Sequence, residues 1–443
     1  MKQIPMNGTT IFAVVMACMS APVCLYAQEE IDEDALFSDT TTVIELEQFT
    51  DDTALQNAEK RKSVEFSGAI TTSVTGALNR DYFLDDASLD NTSFRAGITG
   101  NFTGDIRLPF NVKSLVNFDA QYLAPTDSTD LALRELFLDW NLKRRVFLRG
   151  GKQVLQWGRG YFFNPVDLVN VEKTRFFDEL AGREGAFGVK AHAPFGTKLN
   201  LYAFWDLHHI GRIDTSALAG KAEFLVGATE FAVSLWGKRG EMPVYGLDFS
   251  TGIWNFSITG ELAIYHEIDH YELAGWQFNL PRVEESTKEW SPKASLGITR
   301  WFDLLDINDR ILVTLEGYYN HNGIDDENLI DRFPDNQVLD PASFAALEQL
   351  FRGGILEFNS ISKWYAAAFV TVNRFIVTDM TVSFNALTNI LQRSTTLSAI
   401  VDYRTLHNLS ISLLVNGFVG PDFTEYTFFA GGASVEGRIG ILF

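Results

Sequence analysis

The chain has 443 residues, 13% of them aromatic, with 34 Gly, 12 Pro and a mean hydropathy near zero. That length suits two or three ordinary domains or one large all-β barrel, and the hydropathy excludes a bundle of membrane-spanning helices. A net charge of −21 argues against nucleic acid as a partner, because phosphate binding needs clustered Lys and Arg.

The one long apolar run lies at the start. Lys2, the run Ile11–Met19 and the small residues after it read as a secretory signal spanning 1–27. The natural cut falls after Ala27, although Leu25 is larger than the usual residue three places before a cut. Val15-Met16-Ala17-Cys18 also fits a relaxed lipoprotein box, which would place a lipid on Cys18. A cut after Ala27 removes both Cys18 and Cys24, leaving no disulfide, thiol catalyst or Cys-based metal site. Residues 28–62 follow as an acidic periplasmic leader, expected to be largely mobile. Positions 28–60 hold 11 Asp and Glu against Lys60 alone.

From 63 to 443 the signal is period-two alternation, the signature of half-buried strands. Phe94, Ala96, Ile98, Phe102 and Ile106 oppose Arg95, Thr99, Asn101, Thr103 and Asp105. Trp254, Phe256, Ile258, Leu262 and Ile264 oppose Asn255, Ser257, Thr259 and Glu261. The pattern predicts about 18 strands, with 16 as the alternative. They fall near 63–79, 92–106, 110–123, 131–142, 145–155, 183–192, 196–207, 217–227, 229–238, 242–250, 253–268, 285–302, 308–322, 358–374, 377–387, 394–404, 407–418 and 432–443. Connections after even-numbered strands are tight. Most of those after odd-numbered strands are long, as at 156–182, 269–284 and 323–357. Alternation alone would also suit a soluble sandwich. The strand count and the short–long rhythm favour a closed transmembrane antiparallel up-and-down barrel. An apolar outer face with a polar inner face is stable in lipid only if the sheet closes and leaves no edge unpaired. An even strand number returns both ends to the periplasmic side.

Within 323–357, Asp340 as N-cap, Pro341 at the first helical position and Gly353-Gly354 as a stop predict a helix. Phe344, Leu347, Leu350 and Phe351 would form its apolar face, either as a self-packed lid or as a plug at the mouth. Tyr82, Trp140, Trp205, Trp301, Tyr318, Tyr319 and Trp364 suit aromatic girdles at a membrane surface. The His groupings are His208-His209 and His266 with His270. Four residues along a strand span ~13 Å, too far for one metal ion. No motif asks for a cofactor, and no enzyme signature appears, neither a G-x-S-x-G elbow nor a Gly-rich phosphate loop.

The last strand places Val435, Ile439, Ile441 and Phe443 on one face, ending on an aromatic residue. It resembles the sorting signal of Gram-negative outer-membrane barrels, which implies an outer-membrane location and a barrel-assembly machinery as partner. The segment Gly151-Lys152-Gln153, then Trp157-Gly158, then Asn164-Pro165-Val166-Asp167-Leu168 resembles a poorly characterised group of porin-like barrels. That resemblance implies a channel for small hydrophilic solutes, bathed in outer-membrane lipid, with self-association left open. In porins the third loop folds into the lumen, and 156–182 is the third loop here. Arg159, Asp167, Lys173, Arg175, Asp178 and Glu179 then become candidates for a charged constriction, with Arg149 and Arg183 facing them from neighbouring strands. The plainer expectation is a loop packed on the rim with its charges paired. Two other readings stand beside the channel: a transporter of apolar compounds with a plugged lumen, and a surface adhesin or envelope barrel.

Overall fold

A computed structural model describes residues 64–443 apart from 79–91, 109–111, 170–184, 208–215, 334–339 and a few shorter gaps at 125, 144, 156, 240, 331–332, 353–354, 406–407 and 430–431. The signal, the leader, Cys18, Lys173, Arg175, Asp178, Glu179, Arg183, Tyr82, His208-His209 and Gly353-Gly354 lie outside the described residues.

Eighteen strands form a single closed antiparallel sheet in which each pairs with its neighbours in sequence and β1 (Val64–Leu78) pairs with β18 (Ala433–Leu442). The closing register runs from Ala69 opposite Leu442 to Leu78 opposite Ala433. Gly68 and Phe443 extend it, each donating its N–H to the other's carbonyl at 2.9 and 3.0 Å. Closure leaves no sheet edge. Val435, Ile439, Ile441 and Phe443 all point outward, Ile439 and Ile441 at 57% exposure, and Phe443 lies against Phe66 and Phe102. Arg438 and Glu436 take the alternate positions and pair at 2.7 Å.

The same parity runs around the barrel. On β10 (Val244–Ile253) Tyr245 and Leu247 face out, while Val244 and Asp248 are buried inside. On β13 (Ile307–Asn320) Leu315 faces out and Thr314, Glu316 and Tyr318 face in. Trp140, Trp205, Trp301 and Trp364 are exposed, and Tyr319 packs at a tilt against Trp364 at 4.6 Å. Tyr318 departs from the girdle expectation: neighbours on a strand point to opposite faces, so Tyr318 is a lumen residue.

The expected long loop at 269–284 is instead strand. The strand β11 (Phe256–Gln277) and its partner β12 (Leu280–Leu304) continue to a two-residue turn at Phe278-Asn279, both residues at positive φ. Strands of 22 and 25 residues exceed the roughly 9–11 that cross a bilayer, so this hairpin stands well beyond the rest of the barrel wall. Gly275 sits at a register shift, where its φ of 147° accommodates the bulge.

Helix α1 (Pro341–Arg352) packs against this hairpin. Asp340 caps it, its Oδ1 accepting the Ser343 N–H and hydroxyl at 2.8 Å each, which holds the Asp340 carboxyl below its ordinary value. The expected stripe packs against Trp276, Ile324 and Leu356, with Leu347 buried and Phe344, Leu350 and Phe351 half-buried. A second helix, α2 (Glu425–Phe429), comes from the connection between β17 (Leu409–Val419) and β18, and Phe428 stacks on Phe344 at 3.9 Å. The two loops therefore form one cap at the long-loop end. Leu347 is fully buried in it. Leu347→Ala should cost the cap about 2–4 kcal/mol, seen as faster amide exchange in α1 with the barrel strands unchanged.

Candidate functional site

The first part of the connection between β5 (Val146–Gln153) and β6 (Ala186–Phe195), described as far as Val169, packs on the inner wall of the barrel. This described stretch turns into the lumen. Gly151, at φ 134°, allows the approach, since a Cβ there would sit 2.2 Å from the Leu136 carbonyl oxygen. The Gln153 amide reaches the Gly188 carbonyl across the strand pair, and Glu135 accepts the Val154 N–H at 2.8 Å. Leu155, Trp157, Val166 and Val169 then pack on Phe204, Ala219, Val244 and Ala263 of the wall.

Two wall carboxylates hold the next stretch by its backbone. Glu261 on β11 accepts the N–H groups of Arg159, Gly160 (2.7 Å) and Val166 (3.2 Å). Glu316 on β13 accepts those of Tyr161 (2.5 Å), Phe162 (2.9 Å) and Phe163 (3.1 Å). Successive N–H groups converging on one point form an anion-binding nest, and here the anion is a side chain of the same barrel. The glycines make this possible. A Cβ on Gly158 would lie 2.5 Å from the Glu261 carboxylate, and one on Gly160 would lie 2.1 Å from the Phe163 carbonyl. Gly160→Ala should therefore displace the loop at a cost of about 1–3 kcal/mol. The check is increased protease cutting near 157–168 in the folded barrel.

Side chains complete the clamp. The Arg159 guanidinium meets Asp248 at 2.5 Å, Glu230 at 2.5 Å and Glu223 at 3.4 Å. Lys221 donates to the Trp157 carbonyl at 2.6 Å and pairs with Glu223 and Asp248 at 3.1 and 3.3 Å. Phe163 stacks on Tyr318 at 4.8 Å, and Tyr161 packs on Phe369 at 4.7 Å. Asn164 and Pro165 form the expected turn, closed by the Asp167 N–H to the Asn164 carbonyl at 3.1 Å.

The sequence candidates therefore part company. Arg159 faces the wall rather than open lumen, and Asp167 is buried within the loop. Arg149 pairs with Asp139 at 2.6 Å and stacks over Phe137, on the strands beside the loop's base. The most exposed large side chain of the described loop is Tyr161, at 53%. The wall residues Lys221, Glu223, Glu230, Asp248, Glu261 and Glu316 were not singled out in sequence. Each occupies an ordinary polar position in an alternating strand, and their loop partners are mostly backbone amides, which carry no residue signature.

The described part of the loop occupies the side built by the strands from β7 (Leu199–Asp206) to β14 (Trp364–Val372). On the other side, β1, β2 (Thr92–Leu108), β3 (Val112–Leu123), β4 (Ser128–Leu142) and β18 line a cavity of about 360 Å³ with Thr71, Ser73 and Thr75 and with three cations and three anions. Two of those pairs are closed, Arg134–Asp119 at 2.6 Å and Arg438–Glu436 at 2.7 Å. Arg95 and Asp130 are the other two charges in this lining.

No family model matches the chain, and neither does any curated protein. Similarity appears at the level of solved structures. OccAB1 of Acinetobacter baumannii superposes with a TM-score of 0.50 at 11% identity, over 86% of this chain and 97% of that one. OccK5 (OpdH) of Pseudomonas aeruginosa gives 0.47 at 10% identity, over the same shares. A triple mutant of the Rhodopseudomonas blastica porin gives 0.41 at 11% identity, over 86% of this chain and all of that one. At such identities the likeness speaks for the fold.

Proposed function

We propose that this protein is an outer-membrane porin-type channel through which small hydrophilic solutes diffuse passively. One observation carries the reading. A loop is clamped inside a closed, outwardly apolar barrel, and it leaves a polar cavity on the opposite wall. The outer face calls for lipid as solvent, and the inner face calls for water. The names of the similar structures, which include a porin, agree with it.

In this mechanism the loop sieves by size and the lumen charges bias by sign. Tyr161 narrows the passage, and solutes pass along the β18–β1–β4 wall. Lys173, Arg175, Asp178, Glu179 and Arg183 are proposed as the remainder of the charged constriction, with Arg149 at its edge. Arg159 and Asp167 serve it by fixing the loop. The acidic balance of the chain gives a mild cation preference. A transporter of apolar compounds would want an apolar pocket opening on the lumen, whereas this cavity sets six charged side chains and several hydroxyls among its small apolar residues. The signal at 1–27, the acidic leader at 28–62 and the reading of Val435, Ile439, Ile441 and Phe443 by an assembly machinery belong to the same proposal. So does self-association in the membrane.

Planar-bilayer recording of the refolded protein tests it. Conductance should appear, with a reversal potential of cation sign in a salt gradient, and should rise when residues 156–182 are shortened. Silence both with and without that segment overturns the channel. Liposome swelling in uncharged sugars of increasing size then measures the sieve.

A further inference from the structure

A cation on the outer face of the barrel stands between two aromatic rings. Arg300 on β12 shares its face with Leu296 and Ile298, both exposed, whereas the Thr299 hydroxyl is bonded to that of Thr314 on the lumen side at 3.0 Å. Arg300 therefore points outward. Its guanidinium lies 4.6 Å from the Phe256 ring and 4.7 Å from the Phe302 ring. Among the described residues it has no ion pair and no hydrogen bond. Burial takes its Nε, but the side chain is only half-buried and both terminal NH₂ groups keep access to the surroundings. Rings stacked on a guanidinium cover its faces and leave its in-plane N–H groups free to donate.

Arg300 lies at the lower edge of the apolar band. The register that sets Ser257 opposite Thr299 places it beside Phe256, the first residue of β11 after the turn Trp254-Asn255 at the short-turn end. Above it the outward residues are apolar, Ile258, Gly260 and Leu262 facing Ile298, Leu296 and Ala294, up to the His266–Trp290 pair at 4.2 Å. Phe256 to His266 matches the roughly 9–11 residues with which a strand crosses a bilayer. Four residues above Phe256 the wall has a hollow of about 400 Å³ over Gly260. A Cβ there would lie 2.3 Å from the Phe249 ring, so the glycine lets that ring lie across it. Phe231 and Val233 on β9 (Thr229–Lys238), Leu247 and Phe249 on β10, and Leu262 and Leu296 line the hollow from the outer face. Asp248 and Glu261 border it from the lumen side, where they hold the loop. Four residues span ~13 Å along a strand, which keeps the hollow in the same leaflet as Arg300. Water does not wet such a space within the band, and an empty one forfeits contacts, so hydrocarbon fills it.

We propose that Arg300 and the hollow over Gly260 form one binding site for a phospholipid of the periplasmic leaflet, with its phosphate on Arg300 and an acyl chain seated over Gly260. The site presupposes that the barrel sits in an outer membrane, as proposed above, and it makes this lipid a selected ligand rather than bulk solvent. The preference comes mainly from the head, because a guanidinium pairs with phosphate through charge-assisted hydrogen bonds. The chain gains little from exchanging lipid for an equally apolar wall, so the hollow contributes fit. Neither part touches the lumen path.

Native mass spectrometry of the full refolded chain, released from detergent micelles, tests it with separate probes. These are dioleoyl phosphatidylglycerol, dioleoylglycerol, which lacks the phosphate, and glycerophosphate, which lacks the chains. Only the phospholipid should stay bound. Arg300→Gln should weaken it by about tenfold, the loss expected for one charged hydrogen bond. Arg300→Lys keeps the charge and should lose less. Leu296→Trp fills the hollow and should weaken the phospholipid with Arg300 intact. All three substitutions face lipid, and unchanged heat-resistant mobility in gels shows that the barrel is still closed. Equal retention of dioleoylglycerol or of glycerophosphate, no adduct on the natural chain, or phospholipid binding unchanged by Arg300→Gln or by Leu296→Trp overturns the site. So does a dimer that excludes the lipid, which would give the hollow to a second copy of the chain. Any of these failures alongside normal bilayer conductance would leave the channel reading standing.

Discussion

Glu261→Ala combined with Glu316→Ala is expected to free the third loop from the barrel wall while the barrel itself stays closed. Each carboxylate accepts three backbone N–H groups, using both of its oxygens. Removing one leaves three donors without their partner. Lumen water can replace part of what is lost, so each substitution should destabilise the loop by about 2–4 kcal/mol. The barrel holds by strand pairing around the full circle and by Phe443 bonded to Gly68, neither of which these side chains touch. The double variant should therefore keep its heat-resistant mobility in gels. It should also show larger, noisier single-channel currents and rapid cutting within the loop. Glu261→Gln and Glu316→Gln are informative companions. An amide keeps one acceptor oxygen but turns an NH₂ toward an N–H, so each should loosen the loop by less than alanine does. Wild-type current and wild-type protease resistance in the double alanine variant would sink the clamp.

Much of this fold was legible because a barrel wall has only two faces. Alternation in the last strand put Ile439 and Ile441 outward and Arg438 inward, and closure onto the first strand followed from the need to leave no edge in lipid. The cap helix was legible for a different reason: Asp340-Pro341 is a local device, satisfied within one turn. The reading failed at 269–284. Outside a membrane a hairpin is wetted on both faces, so Asp269, Glu272, Arg282 and Glu284 break the apolar alternation that marks a wall strand. Gly275 and Pro281 look like loop residues, and Phe278-Asn279 lacks the glycine that usually announces a two-residue turn. Tyr318 was misplaced because aromatic type was weighed above parity.

The site was half legible. The segment from Gly151 to Leu168 stood out through its Gly, Trp and Asn-Pro residues. The structure gives those residues physical roles: close approach at Gly158 and Gly160, packing at Trp157 and a turn at Asn164-Pro165. The loop's attachment was hidden, because it joins wall carboxylates to main-chain donors more than 90 residues away. Arg159 shows the same limit. Its charge was evident, but nothing local says that three acids on neighbouring strands await it.

The cap should tighten as the medium becomes acidic. Glu425, at the start of α2, is fully buried, and its carboxylate meets only neutral donors. These are the Tyr365 hydroxyl at 2.9 Å, the Asn389 amide at 2.8 Å and the Asn359 N–H at 2.5 Å. Its own N–H is held by the Gln392 side chain at 2.7 Å, and Tyr426 beside it bonds Asn359. Burial pushes the carboxyl up to about 7, and the three hydrogen bonds pull it only partway back. In the unfolded loop the same group titrates near its ordinary value of 4.5. The closed cap thus holds the proton more tightly than the open one. The contribution of Glu425 to the cap's stability is fully present below about pH 4.5, falls as the pH rises toward 7 and is flat above. The whole span is worth about 3 kcal/mol. Amide exchange in α2 and at Asn359, corrected for the chemical rate at each pH, should report an opening free energy that declines across that window. Glu425→Gln retains an acceptor oxygen and cannot ionise, so its cap should open with a free energy that is flat across that window. A flat profile in the natural chain, or an unchanged slope in the glutamine variant, would show that the proton sits elsewhere.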